Sequence, residues 1–130
     1  MGAHTLGTNH PDQSGYEGPF VNHQETLFDN QYYKDMVECE IQWFSEYLPE
    51  TDEHQWMGGD EYGTDYGTRL NTDVALVIDL TLEDESPTCD PVSSCPVAET
   101  YGIVEEYAKD GELWVRDFVE VFEALVSRGL

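Results

Sequence analysis

The chain has 130 residues, with 28 Asp and Glu against 5 Lys and Arg and a formal net charge of −23. So negative a surface excludes nucleic acid and anionic membrane as partners and attracts cations or a basic protein. The length is that of one domain or part of one, and the acids are spread along the chain, which marks a charged fold rather than a disordered acidic tail.

With 39% apolar and 12% aromatic residues, the chain can bury a core. Met1 to Thr8 reads as a helix end that Gly7 stops. His4 lies there among small residues, Gly2, Ala3 and Gly7, which let a flat, bulky group approach the backbone. Alone, His4 reads most simply as a histidine near a frayed terminus, with axial metal ligation as the sharper alternative. Asn9 to His23 is loop, broken by Pro11, Gly15, Gly18 and Pro19. Asp29 or Asn30 caps a predicted amphipathic helix from Asn30 to Leu48, striped by Tyr33, Met36, Val37, Phe44, Tyr47 and Leu48. Pro49 to Thr68 is polar and Gly-rich and reads as a solvated loop. It lacks the alternating ligands of a calcium-binding loop.

Asp73 to Leu82 is apolar enough to suit a buried strand or a helix. Glu83 to Pro96 is a loop rich in Pro, Ser and Asp. Cys89 and Cys95 either close a small loop there or remain as two thiols, and Cys39 is left over. No Cys/His spacing fits zinc. Val97 to Ala108 reads as helix. Asp110 caps a last helix striped by Leu113, Trp114, Phe118, Val121, Phe122 and Leu125, with Gly129 ending it. No apolar run is long enough to span a bilayer, and the start resembles no signal peptide.

Four ordered segments share a likeness. They are G-A-H-T-L-G with His10 and S-G-Y-E-G-P (Gly2 to Pro19), F-D-N-Q-Y-Y (Phe28 to Tyr33), L-N-T-D-V-A-L-V-I-D (Leu70 to Asp79), and E-E-Y-A-K-D-G-E-L-W-V-R-D-F with F-E-A-L (Glu105 to Leu125). Together they resemble the proximal half of the plant, fungal and bacterial haem peroxidase superfamily, in the intracellular class that includes cytochrome c peroxidase and ascorbate peroxidase. The resemblance implies an all-α fold and makes Asp73 to Leu82 helical, with Thr72 as its cap. It implies that residues 1–130 form a single partial peroxidase domain, with 49–68 and 83–96 as inserted loops. The segment at Met1 to Gly7 lies mid-helix in that family, which makes the chain a fragment. The class favours an intracellular compartment, cytosol or organelle, while the cysteines leave the redox compartment open.

The resemblance also implies chemistry. The bound group is haem b, the substrate is hydrogen peroxide, and the electrons come from an organic or small reductant. His4 takes the iron-ligand position. Asp73 takes the position of the carboxylate that accepts from the ligand's other ring nitrogen, fixing its tautomer and making it a stronger donor. His10 matches a histidine that bonds a haem propionate, and Ser14 lies in the same loop. Thr5, Asn22 and Asp29 fall near positions that hold a proximal K⁺ or Ca²⁺ in many relatives, although Val21 replaces one ligand. Phe20 stands where the class usually carries an oxidisable Trp, which weighs against cytochrome c as the donor. No stretch resembles the helix that carries the distal His and Arg needed for peroxide cleavage. The chain therefore carries half a haem pocket, and its uncovered apolar surface predicts marginal stability or self-association. The alternative is a truncated or degenerate peroxidase-like chain, without activity, acting as an acidic interaction or cation-binding domain.

Overall fold

The computed structural model describes residues 1–128. Its architecture corrects the all-α expectation: the chain is mixed, with seven strands in three antiparallel sheets among the described residues. Strands β1 (Thr8–Asn9) and β2 (Gly18–Pro19) pair across a loop that holds the short helix α1 (Pro11–Ser14). Helix α2 (Gln31–Val37) leads into a meander of β3 (Gln42–Leu48), β4 (Glu53–Gly59) and β5 (Asp65–Arg69). Helix α3 (Asn71–Val74) follows, then the small ribbon β6 (Leu82–Glu83) and β7 (Ser86–Pro87). Helices α4 (Tyr101–Lys109) and α5 (Gly111–Ser127) complete the described chain.

The helix predicted from Asn30 to Leu48 is really a helix followed by a strand. The chain leaves helical geometry at Glu38 (φ −66°, ψ 120°) and turns, with Ile41 N–H on the Glu38 carbonyl at 3.1 Å. Beyond the turn, Trp43 is buried and Phe44 exposed, an alternation that the three- and four-residue steps mimic. Trp43 pairs with Gly58 across the ladder. A Cβ at Gly58 would strike its ring, so glycine there lets the indole lie flat on the neighbouring strand. The Trp43 indole N–H then donates to the Asp35 carbonyl at 3.0 Å, satisfying an end of α2.

Residues 49–68, expected as loop, supply β4 and most of β5. The turn between these strands is built on Asp60, whose carboxylate accepts the N–H groups of Tyr62 and Thr64, each at 2.9 Å. Residues 83–96 remain mostly irregular, and Cys89 and Cys95 form a disulfide across them while Cys39 is free and exposed. The helix expected over Asp73 to Leu82 is only the single turn of α3. It begins at Leu70 rather than at a Thr72 cap, and Ile78 leaves it to bridge Val97. The helix expected from Val97 begins at Tyr101. Asp110 caps α5 as expected, accepting Leu113 N–H at 3.0 Å. Gly129, the expected end of α5, lies outside the described residues.

The core gathers Tyr32, Tyr33 and Met36 of α2, Trp43 and Trp56 of the sheet, and Val104 and Trp114 of the last two helices. Its edge at α3 and the N-terminus carries the site.

Candidate functional site

His4 sits in a 3₁₀ turn, Gly2–Thr5, laid against α2 and α5. A Cβ at Gly2 would collide with the Tyr33 hydroxyl and the Trp114 ring, so glycine allows the turn to settle on that wall. His4 Nδ1 then lies 2.8 Å from Asp73 Oδ1, across 69 residues of sequence. The Phe20 ring stacks on the imidazole at 3.9 Å with an interplanar angle of 7°.

Asp73 is fully buried and accepts more than this one bond. The Tyr32 hydroxyl donates to the same oxygen at 2.6 Å, and Leu70 N–H donates to Oδ2 at 2.9 Å. Burial alone would push the Asp73 carboxyl up. The hydrogen bonds from His4 and Tyr32 and the Leu70 N–H outweigh it and hold the carboxyl below its ordinary range. A carboxylate can only accept, so the facing Nδ1 carries the proton, and in the neutral imidazole Nε2 is then the nitrogen that keeps its lone pair. Nε2 makes no hydrogen bond among the described residues, and the His4 side chain is one-third exposed.

Arg69 and Tyr32 support this arrangement, and sequence reasoning missed both. The Arg69 guanidinium is completely buried between the rings of Tyr32 and Trp43, 4.4 and 4.6 Å from their centroids. It donates to the carbonyls of Phe20, Thr68 and Tyr32, tying the segment that carries Phe20 to the helix that carries Tyr32. Burial draws its pKa down, while Tyr32, Asp73 and Asp35 oppose that. The available signal was composition: Arg69 is one of five cations in an acidic chain and directly precedes L-N-T-D.

The other expected site residues divide. His10 is exposed at the start of α1, without a side-chain capping bond. Ser14 is occupied locally, donating to the His10 carbonyl at 3.3 Å and accepting Tyr16 N–H at 3.2 Å. Thr5 Oγ1 donates to Asp29 Oδ1 at 3.2 Å, so those two meet. Asn22 instead donates to the Asp65 carbonyl at 2.8 Å. Among the described residues no group of three or more His, Cys, Asp or Glu side chains is placed to hold a metal ion.

A neutral imidazole, its Nδ1 proton held by a buried carboxylate and its Nε2 free and partly open, is the donor a haem iron takes on one axial side. The residues therefore fit haem on the His4 face. Sequence comparison agrees. Over 99% of its length the chain is 33% identical to a protein of Mycosarcoma maydis and 34% identical to one of Cryptococcus neoformans, both named as heme-binding peroxidases. Over its full length it is 31% identical to the mitochondrial cytochrome c peroxidase of Emericella nidulans.

At low identity, the chain is similar to proteins named as haem peroxidases.

It spans about a third of the length of these relatives, between 29% and 33%. No family model matches it, and no solved structure does. Among the described residues, no helix is long and apolar enough to cross a membrane.

Proposed function

We propose that this chain is the haem-ligating, proximal half of a haem peroxidase that reduces hydrogen peroxide and oxidises an organic or small reductant. The observation that carries the reading is the His4–Asp73 pair, with Nδ1 engaged and Nε2 free. His4 would hold the iron of haem b through Nε2. Asp73 holds the Nδ1 proton and raises the electron donation of the ring, and Tyr32 and Leu70 N–H hold Asp73 in place. Phe20 fixes the ring plane from one side. His10 and Ser14, in the loop between β1 and β2, are the candidate propionate contacts. When bound, haem would supply the iron-centred redox chemistry, and this chain would supply His4 as a ligand together with the electrostatics that Asp73 gives it.

The test is a haem titration of the purified 130-residue chain, followed by visible absorption, beside His4→Ala. Saturable binding with a ferric-histidine spectrum that disappears in His4→Ala is the expected result. Binding indifferent to the substitution, or no binding, would sink the reading in favour of an acidic peroxidase-like domain without haem.

A further inference from the structure

A nucleophile and a bond it can attack meet at one cleft, and none of the residues involved belongs to the His4 site. Cys89 and Cys95 are bridged across the 83–96 loop, and both pack against the core. Inside the bridged loop Asp90 is pinned to β3, where Ser45 N–H donates to its Oδ1 at 3.1 Å. The short turn Val92–Ser94 packs along β3 and brings the chain to Cys95, on the wall of a cleft of about 260 Å³. The same cleft is lined by Glu38, Cys39 and Ile41, from the turn in which α2 gives way to β3. Cys39 is a free, exposed thiol whose Sγ lies 3.9 Å from Glu38 Oε1. Of the two bridged residues, Cys95 lines the cleft and Cys89 does not.

We propose that Cys39 is a third partner of this bridge, and that attack on Cys95 moves the bond from Cys89–Cys95 to Cys39–Cys95 and releases Cys89. The Cys39 S–H bond breaks first, and its proton goes to water. The thiolate's electron pair forms the new bond to Cys95 Sγ while the old S–S bond breaks. The electrons of the old bond leave on Cys89 Sγ, which takes up a proton from water. One bridge and one thiol are present before and after, so the exchange needs neither oxidant nor reductant. The cleft selects the sulfur that is attacked, because Cys95 lines it beside Cys39. Chain entropy supplies the direction. The bond seen here closes a sequence separation of 6, whereas the new one closes the far longer chain between residues 39 and 95 and removes more freedom from the unfolded state. The two bridges are alternative fastenings of one loop, the first to itself and the second to the α2–β3 turn.

The experiment starts from the purified 130-residue chain with Cys89–Cys95 closed, kept in acid and then brought to about pH 8 without added thiol, where an ordinary thiol is partly ionised. Samples are quenched with an alkylating agent at intervals and mapped by mass spectrometry without reduction. The expected result is label that leaves Cys39 and appears on Cys89, with a Cys39–Cys95 peptide growing in step. One cysteine per chain is labelled throughout, and the rate does not depend on protein concentration. Cys39→Ser should take up no label and keep its bridge in place. In urea, where no cleft guides the attack, Cys39–Cys89 and Cys39–Cys95 should form together. Cys89→Ser, which can close only Cys39–Cys95, should melt above Cys39→Ser, which keeps the short bridge. Label that stays on Cys39, a folded chain that yields Cys39–Cys89, or bridges that form only between chains would each overturn the proposal. None of these outcomes bears on the haem reading, which involves none of the three cysteines.

Discussion

Asp73 and Asp35 are both buried carboxylates, yet burial has the last word in only one of them. At Asp73 it is outweighed by donors, and the carboxyl is held low. At Asp35 burial prevails over the Gln31 amide at 2.7 Å and over Arg69, and the carboxyl is pushed up. The stability consequences have opposite signs. Asp73, with its folded pKa depressed, contributes stability above the unfolded value of about 4, and that contribution disappears as pH falls through the folded value. Asp73→Ala should therefore cost most near neutrality, about 2–4 kcal/mol from three stranded donors, and its deficit should shrink in acid. Asp35, with its folded pKa raised, favours the protonated form, so its contribution is present below the unfolded pKa and is lost as pH rises. Asp35→Asn should raise the melting temperature at pH 7, with the gain vanishing below about pH 4. Melting curves of both variants across pH check the two slopes together; parallel slopes would refute the assignment. At this scale His4 and Asp73 were legible because motif residues name them. Tyr32 and Arg69 were not, because a tyrosine in an aromatic run and an arginine at the end of a strand without a hydrophobic pattern carry no mark of what they will touch.

The elements were legible where one pattern governs them and illegible where two patterns coincide. Helix α5 shows a strong apolar stripe and an Asp110 cap, and both appear in the fold. The α2–β3 junction failed because an aromatic strand of alternating burial continues the spacing of the helix before it. The β4–β5 hairpin failed because its buried positions include Gln55, Gly58, Gly67, Thr68 and Arg69, which no hydrophobic pattern reveals. One side chain couples α2 to α4. Asn30, at the start of α2, donates its amide to the Tyr107 and Ala108 carbonyls at 2.9 and 3.1 Å, closing the C-terminal end of α4. Asn30→Ala leaves those carbonyls short of a donor and should cost about 1–3 kcal/mol. Asp110→Ala, which removes the α5 cap, should cost about 0.5–2 kcal/mol. Urea titrations should show both as lowered midpoints at unchanged slope. A larger loss at Asp110 than at Asn30 would mean that the exposed cap matters more than the buried tie.

At the scale of the whole molecule, charge and apolar surface oppose each other. The 23 surplus negative charges meet few cations: among the described residues the ion pair with a Lys or Arg is a loose Arg116–Asp117 contact at 3.8 Å. Helix α5 runs past the body after Phe118. Its stripe, buried at Trp114, emerges at Val121, Phe122 and Leu125, and every described residue from Val119 onward is exposed. Repulsion destabilises the folded chain and also keeps two such helices apart. Salt weakens both effects, because the screening length falls from about 10 Å at 0.1 M to about 3 Å at 1 M. We therefore expect the melting temperature to rise with sodium chloride and the sedimentation coefficient to rise with it, as self-association through α5 becomes permitted. Phe122→Glu separates the two effects. It should abolish the sedimentation shift and leave the rise in melting temperature of the monomer, because Phe122 contributes to the exposed stripe and the repulsion is spread over the whole surface. If sedimentation still shifts in Phe122→Glu, association uses another face. If the melting temperature is flat in salt, the acids are not in conflict with the fold.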